Sequence, residues 1–140
     1  MGLLEVSDLC ASFENGVKAL RGVSFSLGRG EAIAVLGETG AGKSTLAHCI
    51  VGLVRAPQAS GSVRLDGIEI LGAGDEQLRA LRWSKVAIVL QGTPFNPVAA
   101  VGAQVTEPMR TKAAMSEAQA RRRAQELAAE VRLDPMLLER

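Results

Sequence analysis

The stretch AIAVLGETGAGKSTLAHCIVGL, residues 32 to 53, constrains the fold more than any other part of the 140-residue chain. Residues 32 to 36 form an unbroken apolar run, which predicts a strand buried on both faces of a parallel sheet. The chain then meets Gly37, Gly40 and Gly42 in quick succession, and from Ser44 its apolar residues take helical spacing as far as Gly52. A strand feeding a helix through a short glycine loop is an α/β unit, with the helix laid back on the sheet.

Gly37, Gly40, Gly42, Lys43 and Ser44 satisfy the spacing G-x-x-x-x-G-K-[ST]. Each residue type has a physical task. Glycine admits positive φ and lets successive N–H groups converge where a side chain would collide, so residues 37 to 45 (Gly37, Glu38, Thr39, Gly40, Ala41, Gly42, Lys43, Ser44 and Thr45) can cradle phosphate oxygens. Lys43 brings a cation to the β and γ phosphates, and the start of the following helix adds unpaired N–H groups and its dipole. The Ser44 hydroxyl suits Mg²⁺, and Thr45 is placed to contact phosphate. The pattern predicts a nucleotide-binding loop.

The remaining sequence divides into recognisable elements. Leu4 and Val6, then Leu9, Ala11 and Phe13, form two alternating sets, predicting a strand with one break in phase. Asn15-Gly16 marks a turn, and Val23, Phe25 and Leu27 alternate with serines as in a half-buried antiparallel sheet. Asp66-Gly67 between Val63, Leu65 and Ile68, Ile70 predicts a two-residue hairpin. DEQLRALRW reads as a short helix with Asp75 near its cap, and VAIVL, residues 86 to 90, as a second buried strand stopping at Gln91. Beyond it lie a loop and a weak helix that Pro108 should end or kink. A stronger helix begins with the capping box Ser116 and Gln119; Ala120, Ala124, Leu127, Ala128 and Val131 share one face, and Asp134-Pro135 should stop it. The Arg121-Arg122-Arg123 run falls mostly on the other face, a solvated face with Glu117 and Glu126 in i,i+4 reach.

Composition excludes several classes. With 47% apolar residues the chain can bury a core, and 16 basic against 15 acidic side chains leave no field directing it to nucleic acid, so no nucleic-acid partner is expected. No apolar run is long enough to span a membrane and the N-terminus lacks the features of a signal peptide, which predicts a cytoplasmic location. Val6 stands where myristoylation needs Ser or Thr. Cys10 and Cys49 lie far apart without companion ligands, so reduced thiols are expected rather than zinc.

With Phe13 upstream, GETGAGKST in the middle and VAIVLQG downstream, the chain resembles the ATP-binding subunit of ABC transporters over nearly its whole length. FNPV, residues 95 to 98, resembles the dipeptide, oligopeptide and nickel importer branch. The resemblance implies a P-loop NTPase core of α/β class with an N-terminal antiparallel β layer and the start of a helical subdomain. It implies residues 1–91 as the ATP-binding core and 92–140 as the continuation after the Q-loop and a partial helical subdomain. It further implies that Phe13 stacks on adenine, with a core aromatic as the alternative for that residue. Residues 37 to 45 would hold the phosphates of ATP, Ser44 and Gln91 would ligate Mg²⁺, and Lys43 and Gln91 would serve catalysis. Implied partners are membrane subunits, met through the helical subdomain, and a second ATP-binding subunit; the assembled protein would sit on the inner face of the cell membrane.

Three elements of that family have no counterpart in the sequence: an apolar strand ending in Asp-Glu, a signature like LSGGQ, and a late histidine. VRLDG and VRLDP are the nearest look-alikes, each interrupted by Arg, and His48 lies in the helix after the loop. The chain is therefore expected to be truncated, the first portion of a longer domain that grips ATP but hydrolyses it little alone. A non-catalytic nucleotide-binding or regulatory module is the alternative. A DNA-associated ATPase is disfavoured by the lack of a basic patch.

Overall fold

The computed structural model describes residues 2–14, 16–82, 84–92 and 95–139, so Asn15 of the first turn and Trp83 lie outside it. It divides into two compact units, residues 1–88 and 89–140.

In the first unit, β1 (Leu4–Ser12), β2 (Lys18–Leu27), β3 (Ala59–Leu65) and β4 (Ile68–Glu69) form an antiparallel sheet in the order β2-β1-β3-β4. The phase break in β1 is a bulge. Pairing with β2 skips from Val6 to Leu9, and pairing with β3 from Ser7 to Cys10. Asp8 takes φ 47° there, and its N–H donates to Ser24 Oγ at 2.8 Å. The extra residue keeps Leu4, Val6, Leu9 and Ala11 on one buried face. Leu46 and Cys49 of α1 (Lys43–Ile50) and Leu78 and Leu81 of α2 (Asp75–Leu81) complete that core. Helix α1 ends in a Schellman motif: Gly52 at φ 70° donates to Cys49 O, and Leu53 to His48 O.

The Asp66-Gly67 hairpin has φ 50° and 81° at its two turn residues, as a type I′ turn requires. The Asp66 carboxylate receives Lys85 Nζ at 2.8 Å and Arg29 Nη2 at 2.5 Å. The hydrogen bond from Lys85, and next the Arg29 charge, hold Asp66 below the usual carboxylate range. The unfolded chain therefore takes up this proton first; the contribution is complete above about pH 4 and lost as pH falls through the folded-state value. Asp66→Asn is expected to narrow the difference between urea midpoints at pH 7 and pH 3. An unchanged difference would remove this role.

Two expectations are corrected in and next to this unit. Residues 32 to 36 and 86 to 90 take no place in a strand, and their apolar side chains are largely exposed, Leu36 at 91% and Val89 at 96%. A buried parallel strand needs neighbours to receive its N–H and C=O groups. Among the described residues only one parallel bridge, Arg82 to Val86, touches either run.

In the second unit, α3 (Val101–Thr111) and α4 (Glu117–Glu130) pack together, with a 3₁₀ turn at Pro135–Glu139 against both. Pro108 does not end α3, which runs to Thr111 because a single proline removes one ladder bond while Lys112 N–H still reaches Pro108 O. Both halves of the Ser116–Gln119 capping box are present, and Ala120, Ala124 and Ala128 are buried. The salt bridges Arg121–Glu117 and Arg122–Glu126 form on the solvated side. Val131, expected on the buried face, is the exposed C-cap. The helix stops before Asp134 because Arg132 adopts φ 59° and donates to Ala129 O while Leu133 donates to Ala128 O. No helix among the described residues is long and apolar enough to cross a membrane.

Candidate functional site

The loop from Gly37 to Gly42 runs over the surface and delivers the chain to the first turn of α1. Gly40 and Gly42 take φ 84° and 89°, the left-handed region for which glycine is suited. At Gly42 the freedom has a second use: an added Cβ would lie 2.3 Å from Ala19 O of β2, so only a bare α-carbon lets the helix start this close to the sheet.

Gly42 is the N-cap, and no side chain caps the helix. The N–H of Leu46 returns to Gly42 O at 2.9 Å, leaving the first-turn N–H groups of Lys43, Ser44 and Thr45 pointing out of the helix start. Converging N–H groups, a helix dipole and a cation form an anion site. Lys43 Nζ donates to Gly37 O at 2.7 Å and Glu38 O at 2.6 Å, so the ammonium is held across the loop by two of its three donors. The third donor remains for a ligand oxygen. These features fit a phosphate chain, since carbonyls alone would repel it and the ammonium neutralises them.

The other candidates are placed as follows. Ser44 is exposed, whereas Thr45 is buried in the first turn, leaving Ser44 the available hydroxyl. Phe13, between β1 and β2, is 45% exposed, so its ring is not a core element; its N–H donates to Val17 O at 3.0 Å. Gln91 is exposed and belongs to the second unit. Glu38, Thr39 and Ala41 are exposed loop residues, and Ala41 N–H donates to Glu38 O at 3.2 Å. Cys10 and Cys49 are free thiols; burial pushes the Cys49 thiol up, away from reactivity. No metal-binding cluster of His, Cys, Asp and Glu occurs among the described residues.

Sequence reasoning missed Arg82. Its Nε and Nη2 donate to Val51 O and Gly52 O, at 3.1 and 2.8 Å, and so tie down the far end of α1. The pair is some thirty residues apart in sequence, a separation with no local pattern to reveal it.

Comparison with known proteins adds independent information. A family profile described as ABC transporter matches residues 20–139. The oligopeptide transport ATP-binding protein OppD of Mycobacterium tuberculosis is 39% identical over 132 residues, covering 89% of this chain and 22% of that protein. OppD of Bacillus subtilis is 34% identical, covering 89% and 37%. OppF of Escherichia coli is 36% identical, covering 99% and 45%. The chain thus spans less than half the length of each of these relatives. Among solved structures, the ATP-binding cassette MJ0796, a dimer in a post-hydrolysis state bound to ADP and Pi, superposes with a TM-score of 0.86 at 25% identity, covering 97% of this chain and 60% of that one. CbiO1 of Clostridium perfringens, part of an ABC transporter complex, gives 0.71 at 25% identity, covering 99% and 53%.

Proposed function

Because the chain belongs to the ABC transporter family, we propose that it is the nucleotide-binding part of a transport ATPase that couples ATP binding and hydrolysis to import of a solute of the peptide class. The observation that carries the reading is the Lys43 ammonium, held by Gly37 O and Glu38 O over an uncapped helix start. The peptide class is supported by the similarity to the oligopeptide transport ATP-binding proteins and by FNPV at residues 95 to 98.

In this reading Lys43 orients and neutralises the β and γ phosphates, and the N–H groups of residues 38 to 45 hold the phosphate chain. Phe13 stacks on the adenine. The Ser44 hydroxyl and the Gln91 amide oxygen are the residues that would hold Mg²⁺, which when bound neutralises charge building on the phosphate oxygens. Gln91 also orients water. Residues 1–91 act as the ATP-binding core and 92–140 as the portion that meets the membrane subunits, with a second ATP-binding subunit completing the assembly at the inner face of the membrane.

Lys43→Ala removes charge-assisted contacts worth about 1.5 to 3 kcal/mol each, so nucleotide affinity is expected to fall at least about tenfold. Titration with a fluorescent ATP analogue measures it, with circular dichroism as the control for folding. Undiminished affinity in a folded variant would refute the assignment.

A further inference from the structure

Among the described residues, one side chain from outside the turn that follows Gln91 fastens it, that of Gln104. Asn96 N–H donates to Gln104 Oε1 at 2.7 Å, and Gln104 Nε2 donates back to Asn96 O at 3.0 Å and to Ala99 O at 2.8 Å. Both ends of one carboxamide are thus engaged with the backbone of residues 96 to 99. Within the turn, Ala99 N–H reaches Asn96 O at 3.2 Å and Val98 N–H reaches Asn96 Oδ1 at 3.1 Å, with Pro97 at the corner, a combination that suits a β-turn opened by Asn and Pro.

Gln104 lies in the first half of α3, so a loop with no other described side-chain anchor is fastened to a helix. The turn displays Phe95, half exposed, and Val98, 89% exposed. No charged side chain occurs in the sequence between Lys85 and Glu107, so the segment itself brings no charge to a partner, and its exposed Phe95 and Val98 suit an apolar protein contact.

We infer that Gln104 is a positioning residue: its carboxamide latches the 96–99 turn to α3 and fixes the shape in which Phe95 and Val98 are presented to the membrane subunit. The inference rests on the reading of residues 92–140 as the partner-binding portion. The latch needs an acceptor and a donor on the same side chain, which defines its test.

Amide exchange of the unliganded 140-residue chain is measured for Gln104→Leu and Gln104→Glu. Leu keeps the bulk and loses every bond; Asn96 N–H protection is expected to fall about tenfold or more while the amides of α4 keep theirs. Glu keeps the acceptor but turns an oxygen toward two carbonyls. Its turn is expected to be unprotected at pH 8 and to regain protection as the carboxyl protonates and recovers a donor, a step absent from the unsubstituted chain. Equal Asn96 protection with Gln and Leu, or a flat pH profile with Glu, would overturn the latch. Val98→Asp leaves the three bonds in place and tests the reading beneath it. Unimpaired binding of that variant to detergent-solubilised membrane subunits of an oligopeptide transporter would overturn presentation to a partner, whatever the exchange results.

Discussion

Gly42→Ala is expected to lose nucleotide binding by at least about 100-fold and to lower the thermal midpoint, whereas Gly40→Ala keeps the fold. Both glycines have left-handed φ, 89° and 84°, so alanine costs about 1 to 2 kcal/mol of backbone strain at either position. Their surroundings separate them. Nothing lies within 4 Å of a Cβ at Gly40, while at Gly42 it meets Ala19 O at 2.3 Å and Leu20 Cδ2 at 3.1 Å. A β2 carbonyl cannot yield as a flexible side chain does, so the start of α1 must move away from the sheet by the better part of an ångström. That displacement carries Lys43 and the first-turn N–H groups with it, and a phosphate site built from converging donors tolerates little such movement. Strain and clash together should exceed about 3 kcal/mol, a large share of a small domain's stability. Differential scanning fluorimetry and analogue titration of the two variants decide it. A Gly42→Ala protein with the affinity and midpoint of the unsubstituted chain would show that the loop does not depend on this approach.

The contrast between these two glycines also marks how far sequence alone could go. The spacing of residues 37 to 45 identified the loop because each position answers a local requirement of phosphate binding. The phase break at Asp8, the Asp66-Gly67 hairpin and the Ser116–Gln119 box were legible for the same reason: bulge, turn and cap are set by residues within a few positions of one another. Which glycine also serves as a packing contact was not legible, since Ala19 is distant in sequence and contributes only a carbonyl. The same applies to Arg82 on the end of α1, to Lys85 and Arg29 on Asp66, and to Gln104 on its turn. The apolar runs at 32 to 36 and 86 to 90 reported a tendency to be buried, but pairing depends on a neighbour, which apolarity does not encode. Val131, and Pro108 read as a helix stop, misled for a more local reason. Helix α4 ends where Arg132, a residue not suited to positive φ, takes the left-handed position, and α3 absorbs a proline by giving up one bond.

Gly61→Ala should be the most damaging single substitution in the β layer. Gly61 lies in β3 opposite the bulge, at φ 97°, and an added Cβ would stand 2.4 Å from Asp8 O and 2.7 Å from Ser7 O. Both oxygens are backbone, in the segment where β1 already makes room for its extra residue, so relief requires β1 and β3 to separate. That would disturb the strand whose Leu4, Val6, Leu9 and Ala11 form the inner face, with Leu9 fully buried. A cost of about 3 kcal/mol or more is expected from left-handed strain plus backbone overlap. Gly67→Ala is the matched control: at φ 81° with nothing within 4 Å of its Cβ, it should lose only about 1 to 2 kcal/mol. Urea unfolding of the two variants compares them directly. Equal midpoints would mean that conformational freedom alone, and not the close approach of β1, is what Gly61 provides.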